Sequence, residues 1–175
     1  ADPSADVEGH DAAYKISILA SIAFTSRVDV SKVQREGITR ITAEDMRYAD
    51  DLGYVIKLLA IAKQINGGMS CRVHPTFVPN RHPLGSVNGV MNGIFVKGDA
   101  VGDAMFYGPG AGSMAAGSAV VGDVIDVARN INCNATSRIQ CSCYEHREML
   151  GPDSIRCKNY VRIIAHDRPR VLASI

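Results

Sequence analysis

At 175 residues, 46% of them hydrophobic, the chain is long enough to bury one sizeable core, or a core and a piece of a second. Nineteen Lys and Arg against eighteen Asp and Glu leave a net charge of +1, with the two signs interspersed, which excludes a basic stripe for nucleic acid and an acidic tail. Apolar runs such as Ile16 to Phe24 fall short of the roughly twenty residues that cross a bilayer. No signal-peptide pattern opens the sequence, so a cytoplasmic location is expected.

An acidic, proline-containing lead-in breaks at Gly9 and enters a helix expected from about Gly9 to Thr25, with Ile16, Leu19, Ala20, Ala23 and Phe24 at helical spacing and Tyr14 and Ile18 in the core. Asp11 and Lys15 stand one turn apart on one face of it. That spacing suits either an ordinary surface ion pair or a lysine oriented for proton transfer. Val30 to Arg35 can form a helical turn before Gly37. Thr42 is an N-cap with Asp45 as its reciprocal partner, opening a second helix that carries Met46, Ala49 and Leu52 inward and stops at Gly53.

Tyr54 to Ile65 reads as a strand, and Asn66-Gly67-Gly68 as a hairpin turn that returns Met69 to Val78 antiparallel, with Pro75 and Pro79 limiting the ladder. Asn80 to Leu84 is a loop in which His82 either polarises a carbonyl or positions the loop through its own hydrogen bonds. A turn of helix follows over Ser86 to Asn88. Gly93 to Lys97 and Val101 to Tyr107 are two further strands about Gly98-Asp99, completing the sheet. Gly108 to Gly112, G-P-G-A-G, then enters a helix capped by Ser113 and running to Arg129. Glycines there permit either the close approach of an anion or flat cofactor, or a tight entry of helix against sheet. The small residues Ala115, Ala116, Gly117, Ala119 and Gly122 suit close packing of that helix.

Asn130 to Arg156 is polar and aperiodic and reads as a linker. Lys158 to His166 alternates like a strand, and Asp167 to Ile175 begins a helix. Five cysteines, an odd number without C-x2-C knuckles, suit reduced thiols rather than a disulfide framework or a zinc site, so no metal is expected.

The opening D-P-S-A-D-V-E-G-H-D-A-A-Y-K resembles the D-P-x-x-D-V/L-x-G-x-D-A-A-x-K signature of homoserine dehydrogenases. The likeness continues through Glu36-Gly37-Ile38, His82-Pro83-Leu84, Gly89-Val90-Met91-Asn92, Gly98-Asp99-Ala100-Val101-Gly102 and Phe106 to Gly112, in the family's order. It implies an NADP- or NAD-dependent oxidoreductase that reversibly reduces L-aspartate 4-semialdehyde to L-homoserine, on the route to threonine, methionine and isoleucine. Lys15 would be the catalytic proton donor, Asp6 and Asp11 the substrate ligands, and Gly110 and Gly112 the cofactor-side glycines. A further acidic ligand would precede Ala1, outside these residues.

The expected fold class is α/β (α+β): a mixed, largely antiparallel sheet with helices on one face. No G-x-G-x-x-G follows a strand, so the nucleotide-binding Rossmann unit is not in these residues. The expected organisation is a catalytic, substrate-binding and dimerisation region over 1–129, a linker over 130–156, and over 157–175 the first strand and helix start of a domain resembling the regulatory ACT module. Arg170 stands where that module usually has glycine. A homodimer that takes a small-molecule substrate is implied, inactive without its nucleotide-binding unit. The competing reading is a non-catalytic oligomerisation or amino-acid-sensing domain.

Overall fold

A computed structural model describes residues 2–136 and 141–166. The acidic lead-in is not coil: Ser4–Val7 forms a short helix, α1, separated by Gly9 from α2, His10–Ala23. A single 3-10 turn, Val30–Lys32, leads into a two-residue strand, β1, Gln34–Arg35. Helix α3, Ala43–Asp51, starts with the expected capping box: Asp45 N–H donates to Thr42 Oγ1 (3.2 Å) while Thr42 N–H donates to Asp45 Oδ2 (2.9 Å). Aspartate therefore serves at a position where Glu or Gln is commoner.

Strands β2, Tyr54–Ile65, and β3, Gly68–Pro79, pair antiparallel through all twelve residues. Their turn has Asn66 at φ 48 and Gly67 at φ 82, the two positive angles of a type I′ hairpin. The pairing Ile65 to Gly68 that closes such a turn is a hydrogen-bonded one, and ladder pairs alternate, so Pro75 and Pro79 fall at positions whose nitrogens face away from β2. On that outer side β1 runs parallel to β3 only at Arg72 and Val73, and so ends before Pro75 is reached. Both prolines are thus accommodated without a lost bond to β2.

The core lies between α2 and one face of this three-stranded sheet, ordered β1-β3-β2. Met69, Cys71 and Val73 project from β3, with Leu58, Ala60 and Ala62 beside them on β2. Ala13 and Ala20 meet them from α2, and Ser17 is buried on the same stripe. Small residues let the helix lie close to the sheet. Tyr14 and Ile18 are 58% and 62% exposed, so they belong to the opposite, solvent side of α2 and not to the core, and Leu19 and Ala23 are also exposed. In α3, Ala49 is fully buried while Met46 and Leu52 face outward, because a nine-residue helix crossing a sheet buries only a narrow stripe.

Strands β4, Met91–Gly98, and β5, Gly102–Pro109, do not extend that sheet but form a separate two-stranded one. Their turn spans Asp99 to Val101, with Gly102 at φ 71 just beyond it. The 3-10 turn Pro83–Ser86 precedes it, and Lys57 Nζ donates to Val87 O (2.6 Å) and Asn88 Oδ1 (2.7 Å), tying this arm to β2. Helix α4, Ser113–Asn132, has Gly112 rather than Ser113 at its N-cap position, and none of its residues is buried. Of its small residues, Gly117 and Gly122 have nothing within 4 Å of where a Cβ would stand, and Ala115 is half-buried.

Part of the expected linker is a strap. Glu145 N–H donates to Thr25 O (2.9 Å), Met69 N–H to Glu148 O (2.9 Å) and Leu150 N–H to Met69 O (2.8 Å), which lays 145–150 from the end of α2 along the outer edge of β3. The expected strand over Lys158 to His166 is not formed: the segment has no regular secondary structure and no strand partner. Side chains hold it instead, with Tyr160 stacked on Phe77 (4.7 Å between rings) and Arg162 paired with Glu44 (2.8 Å) and Asp45 (3.0 Å). The expected helix from Asp167 lies outside the described residues.

Candidate active site

The site begins at a corner between two helices. Gly9 sits at φ 76, a left-handed angle, and a Cβ there would stand 2.8 Å from Val73 Cγ1, so only glycine lets the α1–α2 corner rest on β3. Gly37 closes over the same corner, since a Cβ on it would meet Val7 O and Glu8 Oε2 at 2.8 Å. Ile38 N–H donates to Val7 O (2.8 Å), Arg35 Nη1 to Glu8 O (2.6 Å) and Thr39 Oγ1 to Glu8 Oε1 (3.1 Å). The Glu36-Gly37-Ile38 motif, distant in sequence, is thereby the clamp on the acidic lead-in.

One turn into α2, Asp11 Oδ2 pairs with Lys15 Nζ at 2.7 Å. The acid lies N-terminal to the base and in the first turn, the favourable orientation with respect to the helix dipole. Their side chains remain 45% and 62% exposed, on the face of α2 turned away from the sheet. Such a pair adds only about 0–1 kcal/mol to stability. What it does is hold one ammonium group in one direction at the surface. Asp6, on α1, is also exposed.

The glycine candidates lie elsewhere, at the β5–α4 junction. Gly110 N–H donates to Val90 O (3.1 Å), and a Cβ on Gly110 would overlap the Asn92 side-chain amide. Internal packing of the Gly89-Val90-Met91-Asn92 motif therefore accounts for this glycine. Gly112 differs. At φ 120, ψ 148 it occupies a region essentially reserved for glycine, and nothing lies within 4 Å of where its Cβ would be. It opens α4 with no side-chain cap, so backbone donors of the first turn are available to a flat or anionic group.

His82 holds its own loop in shape, since its Nδ1 accepts from Leu84 N–H (3.2 Å) and its ring lies 4.7 Å from that of Phe95. Asp45 was legible only as a cap, yet Oδ1 also accepts from Tyr160 O–H (3.0 Å) and from Arg162. No local pattern reveals a contact spanning that much sequence. A cleft of about 470 Å³ lies between α2 and the segment leading to β1, lined by His10, Tyr14, Ser31 and Arg35 among others; it does not include Lys15 or Asp11. Among the described residues, no three His, Cys, Asp or Glu side chains converge as a metal site, and no helix is long and apolar enough to cross a membrane.

Residues 1–125 match the family model described as homoserine dehydrogenase. The chain is 43% identical over its whole length to homoserine dehydrogenase of Pseudomonas aeruginosa, covering 42% of that protein. Its fold is similar to the crystal structure of a homoserine dehydrogenase from Thiobacillus denitrificans, with a TM-score of 0.80 and 40% identity over 99% of this chain and 41% of the other. A hyperthermophilic archaeal homoserine dehydrogenase solved with NADPH gives 0.57 at 26% identity, over 74% of this chain and 35% of that one. The class is thus that of α/β units found within dehydrogenases, with a carboxylate-held lysine displayed on the first long helix. The chain belongs to the homoserine dehydrogenase family. It spans about two fifths of the length of the relatives it matches.

Proposed function

We propose that this chain is the substrate-side part of an enzyme that reversibly reduces L-aspartate 4-semialdehyde to L-homoserine. The observation that carries the reading is the Asp11–Lys15 pair at 2.7 Å, filling the family's signature on a corner that Gly9 and Gly37 lock in place. An amino-acid substrate brings an ammonium group for which Asp6 and Asp11 are suitable partners. Lys15 Nζ donates to the aldehyde oxygen and passes it a proton as negative charge develops there. In the oxidation direction it takes the proton back from the hydroxyl. Asp11 keeps the ammonium aimed.

A nicotinamide cofactor, when bound, supplies or accepts the hydride; among these residues Gly112 fits its approach by open space and free backbone donors, and Gly110 stands beside it by family likeness. Binding of most of that cofactor is assigned to a Rossmann unit that these residues do not contain, so the 175-residue chain by itself is expected not to turn over. NADP and NAD are both compatible with this arrangement, and a cytoplasmic setting is the one a biosynthetic role in threonine and methionine supply implies.

We assign 1–129 to the catalytic and dimerisation region, 130–156 to the connection that includes the strap, and 157–175 to the opening of an ACT-like regulatory module. A homodimer is supported by the outer edge of β2, twelve residues long and unpaired among the described residues. Light scattering at high micromolar concentration should return twice the chain mass; a monomer mass would count against it.

The decisive experiment is Lys15→Ala in the assembled enzyme. The expected result is a fall in kcat of about a hundredfold or more with cofactor affinity nearly unchanged. Asp11→Ala should slow turnover and also raise KM for homoserine. Near-normal turnover of Lys15→Ala would reject the catalytic assignment and favour the oligomerisation or sensing role.

A further inference from the structure

The residues assigned to the substrate sit on two helices with a soft joint between them. Asp6 is on α1, the Asp11–Lys15 pair is on α2, and Gly9 at φ 76 joins the two. Glycine gives up neighbouring backbone angles at little cost, and a helix of four residues is too short to hold itself. The angle between α1 and α2 is therefore set from outside. Three hydrogen bonds from the 35–39 segment reach the end of α1: Ile38 N–H to Val7 O, Thr39 Oγ1 to Glu8 Oε1, and Arg35 Nη1 to Glu8 O.

Of these donors, Arg35 has the firmest base and the strongest bond. It pairs with Val73 on β3, and the next residue, Glu36, donates its N–H to Val73 O (2.8 Å). Val73 is 1% exposed, so the guanidinium is tethered to the core. Arg35 Cγ lies 3.5 Å from where a Cβ on Gly9 would stand, which carries the side chain directly over the joint. Glu8 O, at the C-terminal end of α1, is a carbonyl that the helix leaves unpaired, and a cation there is favoured in charge as well as in geometry. The 2.6 Å bond to it is the one side-chain hydrogen bond Arg35 makes among the described residues.

We propose that Arg35 is a positioning residue for the substrate, fixing α1 against α2 so that Asp6 meets the ammonium group that Asp11 and Lys15 face from the other helix. The inference rests on Asp6 being a substrate ligand, as assigned above. Asp11 and Lys15 are held to each other within α2, so loosening Glu8 O reaches Asp6 and leaves the proton-transfer pair as it was. Arg35 therefore acts on the grip on substrate and not on the proton step. Its side chain is exposed, and truncating it opens no cavity in the core.

The test is steady-state kinetics of the assembled enzyme with Arg35→Ala, Asp6→Ala and the double variant. Arg35→Ala should raise KM for homoserine about tenfold, the lower end of what one charge-assisted hydrogen bond is worth, because the ligand is loosened and not removed. Its kcat should stay within about twofold and KM for the nicotinamide cofactor should not move. In the Asp6→Ala background the same change should add almost nothing, since there is no carboxylate left to place. Arg35→Lys, which keeps a cationic donor, should recover part of the loss, and Thr39→Val, which frees the other side-chain hold on Glu8, should give a smaller rise in KM. A kcat that falls as far as KM rises, or a KM rise that persists undiminished without Asp6, would overturn the positioning role. If Asp6→Ala itself leaves KM for homoserine unchanged, the substrate assignment of Asp6 fails and takes the proposal with it; if Asp6→Ala raises KM and Arg35→Ala does not, the role of Arg35 alone is rejected.

Discussion

The two hairpins of this chain follow the same local rules and meet opposite fates. Strands β2 and β3 turn through a type I′ pair and bury one face under α2, with Met69, Cys71 and Val73 at 0 to 2% exposure. Strands β4 and β5 turn about Asp99 to Val101 and leave Ile94, Val96, Phe106 and Tyr107 at 43% or more. Helix α2 has a buried stripe of Ala13, Ser17 and Ala20, whereas α4, longer and equally apolar in aspect, has none. The difference lies in what each element finds opposite it. Hydrophobic pattern selects helix or strand; only a facing surface converts apolar area into stability, at roughly 25 cal/mol per Å².

That contrast can be broken most forcefully in the core. Met69→Ala should lower the urea-unfolding free energy by about 2–5 kcal/mol, since the side chain is fully buried and its neighbours are fixed by the sheet. Val121→Ala on α4, where the side chain is 56% exposed, should stay within about 0.5 kcal/mol in the same titration. Equal losses at the two sites would mean that α4 is covered in solution, and the contrast would fail.

A middle-sized effect is expected where α3 starts. Thr42→Ala removes the hydroxyl that accepts from Asp45 N–H and should cost about 1 kcal/mol. The smallest concerns pH. Hydrogen bonds from Thr42, side chain first and backbone second, hold Asp45 below the ordinary carboxylate value of 3.8, with Tyr160 and Arg162 adding to them. A depressed folded-state pKa contributes stability that is present above the unfolded value and lost as pH falls through the folded one. Acidification below 3.8 should therefore release the 158–166 segment from α3 before β2 and β3 separate. Hydrogen exchange that shows the segment opening no earlier than the hairpin would count against this order.

Much of the candidate site was legible because its signals are local. The i, i+4 spacing of Asp11 and Lys15 forces an ion pair once α2 forms, Thr42 and Asp45 close a cap within one turn, and Asn66-Gly67 supplies two positive φ angles. The locations of those residues on elements were accordingly foreseen. What failed was orientation. Tyr14, Ile18, Met46 and Leu52 have the right spacing for a core face, but a helix with apolar residues on several sides does not announce which side the sheet will take.

The sequence by itself determined the hairpins, the cap of α3, the family signature and the pairing of Lys15 with Asp11, because each depends on residues a few positions apart whose geometry the backbone dictates. Only the tertiary structure decided that Gly9 and Gly37 are needed for one corner, that Gly110 yields to Asn92, that 145–150 is a strap on β3, and that Asp45 answers to both Thr42 and Tyr160. Those contacts join residues far apart along the chain. Their partners are selected by which surfaces remain after the local elements have formed, a competition among packings that no short window of sequence contains.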